Sequence, residues 1–333
     1  MKLRILLISS LFTLIVLPTS AQYSKDELGG KFVKKTIEMP EDYEGEVVCT
    51  LIKSPADTIS DKAILYIHGF NDYFFQKEMA AKFDSAGYNF YALDLRKYGR
   101  SFLLNQVRFN VRDLSEYFPD IDTALMIIRN EGNKDIYLMG HSTGGLISSL
   151  YAQAKRDDEP VKGVILNSPF LDQNQSWFKE KILLPIVSFF AKWFPDWTIN
   201  QGLNTAYGES LLKEYKGEWE YDKNKKLMQS PPLTLSWLSA IYKGQKQVHK
   251  GLDIPVPVLV MHSDKSTNDS QFTINYTNSD AVLDVNDIEK YGRKLGKQVD
   301  LVTIPDGLHD LILSKQSARD STYRAMFNFL KAL

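Results

Sequence analysis

A serine held between glycines is the first place where this chain could do chemistry. Before the stretch Gly140-His141-Ser142-Thr143-Gly144, residues Ile136 to Met139 are apolar and partly β-branched, as in a short buried strand. After it, Leu146, Ile147, Leu150, Tyr151 and Ala154 recur at helical spacing. The chain reads strand, sharp turn, helix, with Ser142 at the apex. A serine hydroxyl is a poor nucleophile unless a base reaches it and its neighbours leave room for a carbonyl. Gly140 and Gly144 supply that room: in the elbow pattern G-x-S-x-G the serine takes strained backbone, and missing side chains let strand and helix approach. Few of its positions are fixed, so the rest of the chain has to carry the reading.

A base is the next requirement, and the chain has five histidines. His309 is the best candidate, because it lies in the glycine-containing loop Pro305-Asp306-Gly307-Leu308-His309-Asp310 after the final expected strand. His68 and His141 flank other machinery and are expected to support loops through hydrogen bonds, while His249 and His262 read as ordinary structural residues. No spacing suggests a metal site, and no cofactor is expected. The single cysteine, Cys49, cannot form an internal disulfide.

These residues have to be positioned by regular elements. Apolar segments predict strands at Val47 to Ile52, Ala63 to Ile67, Tyr88 to Leu93, Ile136 to Met139, Val161 to Leu166, Val256 to Met261 and Val299 to Ile304. Helices are predicted over Lys77 to Ala86, over the run Leu114, Phe118, Ile121, Leu125 and Ile128, over Ile288 to Leu295, and at the end of the chain through Tyr323, Met326, Phe327 and Leu330. Pro119 kinks the second of these or marks its true start. Alternation at this spacing predicts a mostly parallel central sheet covered by helices on both faces. Ligands in such sheets bind beyond the carboxyl ends of the strands, where His68-Gly69-Phe70, Asp94 to Ser101 and the Ser142 turn all fall.

The rhythm breaks over residues 169–250, which read as an inserted helical cap on a core formed by 22–168 and 251–333. Aromatic residues crowd there at Trp177, Phe178, Phe189, Phe190, Trp193, Phe194 and Trp197, and Ile182, Ile186, Phe189, Phe190 and Trp193 share a helical face. Packing of the insertion onto the core is the expectation for most of them. The inner face of a cap could also line an apolar pocket, and an interfacial helix dipping into lipid ranks last, because Pro185 and Pro195 break the segment.

With 333 residues the chain can bury a substantial core. A net charge of -1 without a basic stripe argues against nucleic acid as a partner, and the cluster Lys223, Lys225 and Lys226 reads as a solvated face. At the start, Lys2 and Arg4 precede an apolar stretch from Ile5 to Leu17 and then Pro18-Thr19-Ser20-Ala21. Residues 1–21 therefore read as a cleavable signal peptide of a secreted or periplasmic protein, with no stable membrane span after cleavage.

Taken together, His68-Gly69 after its strand, Asp94 to Ser101 matching D-x-R-x-x-G-x-S, the Ser142 turn, the insertion and His309 resemble the α/β-hydrolases. The resemblance is closest to the branch containing serine aminopeptidase-like proteins, monoacylglycerol lipases and lysophospholipases, and it covers nearly the whole chain after residue 21. It implies an α/β-hydrolase fold with a helical cap and a serine hydrolase in the order Ser, Asp, His. Ser142 would attack, His309 would move the proton, and the amides of Phe70 and Thr143 would form the oxyanion hole. For the acid the resemblance leaves two candidates, Asp280 being favoured over Asp264, because the run Ser279 to Val285 matches the family and Lys265 to Asn278 reads as an insertion. Asp284 is expected to cap the following helix. The implied substrate is a small-molecule carboxylic ester, either lipid-like, as a monoacylglycerol or lysophospholipid is, or small. An aminopeptidase or amidase, for which Glu209, Glu214, Glu218 and Glu220 could hold a substrate ammonium, and a non-catalytic binding protein of the same fold are the alternatives.

Overall fold

Residues 22–54, 56–174, 182–200, 205–269 and 271–333 are described by the structure, a computed structural model. The expected signal segment 1–21 and the aromatic residues Trp177 and Phe178 lie outside the described residues.

Apolar runs buried on both faces become the middle of one sheet. These are β4 (Lys62–Ile67), β5 (Asn89–Asp94), β6 (Asp135–His141), β7 (Gly163–Asn167) and β10 (Val258–Ser263), almost every residue of which is buried. With β1 (Ser24–Lys25), β2 (Val33–Asp42), β3 (Gly45–Ser54) and β11 (Val299–Ile304) they form a nine-stranded sheet among the described residues, in the order β1-β2-β3-β5-β4-β6-β7-β10-β11. From β5 to β11 every neighbouring pair is parallel, and β1, β2 and β3 continue the sheet antiparallel.

Strand alternation then sorts side chains to two cores. Ile64, Tyr66, Met139 and Ile165 face the side covered by α1 (Lys77–Ser85) and α8 (Gln316–Ala332). Leu65, Leu138 and Val164 face the side covered by α2 (Phe118–Asn130) and α3 (Thr143–Ala154). Pro119 marks a start: a 3-10 turn over Leu114–Tyr117 precedes it, and α2 opens around the proline, where its missing N–H costs nothing. Strand β2, which the pattern reading did not anticipate, has exposed alternate residues and no apolar run.

Residues 169–250 carry α4 (Leu184–Phe190), the short strands β8 (Thr198–Ile199) and β9 (Leu233–Thr234), α5 (Ala206–Leu211) and α6 (Leu235–Lys250). Helix α6 lies on α3, so closely that a Cβ at Gly244 would come within 2.8 Å of Leu114 and 3.0 Å of Leu150. Helix α4 lies along α6 and turns Val187 inward, and Ala191 just beyond it is also buried. The expected packing of the aromatic face onto the core is overturned here. Phe189, Phe190 and Trp193 are 54%, 46% and 59% exposed, because the small residues Val187 and Ala191 occupy the side toward α6. No helix of the described residues is long and apolar enough to cross a membrane.

Candidate active site

At the end of β6 the chain turns into α3 through Ser142, whose φ of 52° and ψ of -118° lie where few residues with a side chain go. The turn is held from below and from the side. The Ser142 amide donates to the Asn167 carbonyl (3.0 Å), and the Ser142 carbonyl accepts from Gly145, Leu146 and Phe170. Glycine is required on both flanks. A Cβ on Gly140 would stand 2.5 Å from the Gly144 carbonyl oxygen, and one on Gly144 would strike the carbonyls of Ile67 and His68 at the end of β4.

The carboxyl ends of β4, β6, β10 and β11 deliver the remaining groups. His309 follows β11, and its Nδ1–H donates to Asp280 Oδ2 (3.0 Å), leaving Nε2 as the nitrogen away from the carboxylate. Asp280 is fully buried, and its other oxygen accepts from the amides of Val282 and Leu283, both at 2.8 Å. The chain leaves β10, makes an excursion and returns: the Asp280 amide donates to Lys265 O and its carbonyl accepts from Thr267 N. Asp264, the other candidate acid, is partly exposed and accepts from the Asp306 amide in the turn after β11 (2.9 Å), so it does not meet the imidazole. Asp284 caps α7 (Val285–Gly292) by accepting from Asn286 N.

Ser142 and His309 open onto one cavity of about 340 Å³, walled also by Asn71, Tyr207, Tyr221, Lys226, Asp269 and Tyr276. A second cavity of about 410 Å³ meets it at Phe70 and Ser142 and is apolar, lined by Phe170, Leu184, Val187, Leu233, Trp237 and Leu283 among others. Among the described residues the Ser142 hydroxyl has no hydrogen bond to the ring, and the amides of Phe70 and Thr143 meet no acceptor. Catalytic hydrogen bonds of this kind often close only when substrate is bound.

The other histidines support loops. Leu95 N–H donates to His68 Nε2 (3.1 Å), so Nδ1 carries the proton and donates to Gly69 O (2.8 Å). His141 donates from Nδ1 to Asn167 O (3.1 Å), and burial pushes its imidazole below the ordinary value against the pull of Asp310. The stretch Asp94 to Ser101 is scaffold as well. Asp94 accepts from Phe74 N and Arg100 N, and Arg100 goes on to Asp26 (2.7 Å).

Asn167, Asp310, Asn71 and Lys226 lie at the candidate site, and the sequence reading assigned none of them to it. Asn167 ties the Ser142 turn to the His309 loop by donating to Asp310 Oδ1 (2.7 Å) and accepting from Leu311 N (3.2 Å). Its position at the end of β7 was the available signal. Lys226 is not on a solvated face: it is 7% exposed and its Nζ lies 2.9 Å from Asp72 Oδ1. Among the described residues the one group able to gather round a cation is Asp72, His141 and Asp310, with ligand atoms within 4.8 Å of one another. The Lys226 ammonium already provides positive charge beside it.

A doubly covered sheet, parallel from β5 onward, with a strained serine turn at its carboxyl edge, defines an α/β-hydrolase. The chain belongs to the family described as Serine aminopeptidase, S33 (Hydrolase_4), which matches residues 58–316. It is 25% identical over 213 residues to a monoacylglycerol lipase of Mycolicibacterium smegmatis, covering 63% of this chain and 71% of the relative. It is 29% identical over 109 residues to the phospholipase YtpA of Bacillus subtilis, covering 32% of this chain and 40% of that protein. Among solved structures, a soluble variant of the monoglyceride lipase of Saccharomyces cerevisiae, in complex with a substrate analog, is similar with a TM-score of 0.63 at 18% identity, covering 90% of this chain and 96% of that one. The monoacylglycerol lipase of Paleococcus ferrophilus gives 0.63 at 16% identity, covering 86% and 98%.

Proposed function

We propose that this protein is a serine hydrolase of carboxylic esters, with lipid-like monoesters as its substrate class and residues 169–250 as the cap over its site. Ser142 Oγ attacks the ester carbonyl carbon while His309 Nε2 takes the hydroxyl proton, and Asp280 holds the ring and stabilises its cation. The amides of Phe70 and Thr143 receive the oxyanion. Collapse breaks the bond to the alcohol, which leaves with the proton from His309; water then enters by the same route in reverse and frees the acid and Ser142. The observation that carries this reading is the 3.0 Å pairing of His309 with Asp280 on the wall of the cavity that also holds Ser142. The apolar cavity suits an acyl chain and the polar one an alcohol, since the two meet at Ser142. The names of the relatives support the same substrate class. Export through residues 1–21 remains part of the proposal.

An aminopeptidase is disfavoured by specific contacts. Glu209, Glu214, Glu218 and Glu220 pair with Lys216, Lys223, Arg319 and Lys213, and none of them lines either cavity. Turnover of a panel of p-nitrophenyl esters beside aminoacyl-arylamides, with fluorophosphonate labelling, tests the reading. We expect ester turnover and labelling, both abolished in Ser142→Ala. Asp280→Asn should lower kcat by about 10³- to 10⁴-fold and Asp264→Asn by less than about threefold. Absence of labelling in the intact protein would leave a binding protein of this fold as the better account.

A further inference from the structure

The loop after β4 carries Phe70; one of its ends packs on the core and on α6 of the insertion, and the other is fixed by the core. At one end the Phe70 ring packs against Phe109 and Trp237, with centroids 4.9 and 4.7 Å away. At the other the Phe74 amide donates to Asp94 Oδ1 (2.9 Å). What lies between is held chiefly by the insertion. Asn71 brackets one residue of it, donating from Nδ2 to Leu227 O (2.7 Å) and accepting at Oδ1 from Leu227 N (2.9 Å). Asp72 pairs with Lys226 at 2.9 Å inside the protein, and Tyr73 OH accepts from Asp222 N (2.8 Å). Asn71 itself has φ 49°, a conformation that asparagine tolerates better than most residues and that glycine would take more easily. Glycine would lack the side chain that makes the bracket.

We infer that residues 222–227 of the insertion brace the oxyanion loop, with Asn71 and Lys226 as positioning residues for the Phe70 amide. The inference rests on the proposed roles of Ser142 and Phe70 and assigns to the insertion a part in the chemistry beyond covering the site. Close spacing makes the loop sensitive: a Cβ at Gly69 would lie 3.1 Å from Ser142 Cβ, so a small displacement of the loop alters the geometry between donor and nucleophile. An oxyanion donor is effective only within a narrow distance range, so slack in residues 71–72 weakens the transition state more than the ground state. Lys226 and Leu227 also wall the polar cavity, so the segment that contacts the alcohol is the one that holds the donor.

Steady-state kinetics of Asn71→Ala, Lys226→Met and Lys226→Arg on a short soluble ester, with binding of an alkyl boronic acid that forms a tetrahedral adduct, test this. For Asn71→Ala and Lys226→Met kcat should fall about 10- to 100-fold with KM within about twofold, and boronic acid affinity should fall by the same factor. Rates are taken per fluorophosphonate-labelled site, so that unfolded protein is not counted. Lys226→Arg, which keeps the ion pair, should stay within about threefold of the parent. A rise in KM at unchanged kcat, or unchanged boronic acid affinity in Lys226→Met, would overturn the brace. Should Asn71→Ala not fold, Lys226→Met and Lys226→Arg decide the matter. Ser142→Ala in the same series keeps the two claims apart: if it still turns over ester, the parent reading fails, whatever the brace variants do.

Discussion

Beside the proposed nucleophile, His141 is a buried neutral base in the Ser142 turn. Its Nδ1 donates to Asn167 O, and desolvation lowers its pKa below 6.5, outweighing the carboxylates of Asp310 and Asp72, with His309 and Lys226 adding to the lowering. The consequence for stability has a definite sign. Well above 6.5 neither folded nor unfolded chain protonates this ring. As pH falls from there toward the lowered native value, the unfolded chain takes up a proton that the folded one refuses, and stability declines by at most about 1.4 kcal/mol per pH unit. Below the native value the loss is complete and constant. Thermal unfolding between pH 7 and 5 should show the parent losing Tm faster than His141→Gln, which keeps a donor for Asn167 O but cannot titrate. Parallel slopes would mean that the native ring takes up its proton over the same pH range as the unfolded one.

Elements succeed or fail as positioning devices by how closely they approach one another. Strand β6, helix α3 and the end of β4 meet at Gly144 with no room for a methyl group: the Cβ would stand on backbone carbonyls that belong to the sheet and cannot rotate away. Gly144→Ala should therefore cost about 3 kcal/mol or more and lose ester turnover, whereas Gly132→Ala, at an open turn, should lose only about 1 kcal/mol from its positive φ. Differential scanning calorimetry on the two variants separates steric from conformational cost. This geometry was legible in the sequence because strands buried on both faces must be continuous apolar runs, and each parallel crossover needs a helix between them. The excursion between β10 and Asp280 was legible as an insertion, and its return alongside Lys265 and Thr267 was a matter of backbone pairing that carries no residue signature. Lys226 was misread for a similar reason: its neighbours Lys223 and Lys225 are on the surface, and its partner Asp72 lies 154 residues away in the chain. Strand β2 had no apolar run to announce it.

For the whole molecule, the arrangement of cavity and surface says how substrate should arrive. Leu183 and Ile199 line the apolar cavity and are also exposed at its rim, and from there Ile186, Phe189, Phe190, Trp193 and Trp197 continue an apolar face outward. Scattered exposed apolar residues need no explanation, but a run of this size in one segment, contiguous with an acyl-sized cavity, does. The proposed lipid-like esters have low monomer solubility and sit in micelles or bilayers, so an apolar rim shortens the path of the chain from aggregate to cavity without water crossing it. Removing part of that face should therefore discriminate between forms of substrate. Phe189→Ser with Trp193→Ser should leave kcat/KM on a soluble butyrate ester within about twofold, because neither side chain lines either cavity, and should lower turnover of a long-chain monoester dispersed in micelles by about 30-fold, each lost aromatic withdrawing roughly 1 kcal/mol of apolar contact. Sedimentation with zwitterionic vesicles checks the cause, since the double variant should stay in the supernatant where the parent pellets. An equal loss on both substrates would place the two residues in the support of the cap, and the apolar face would then have no part in substrate delivery.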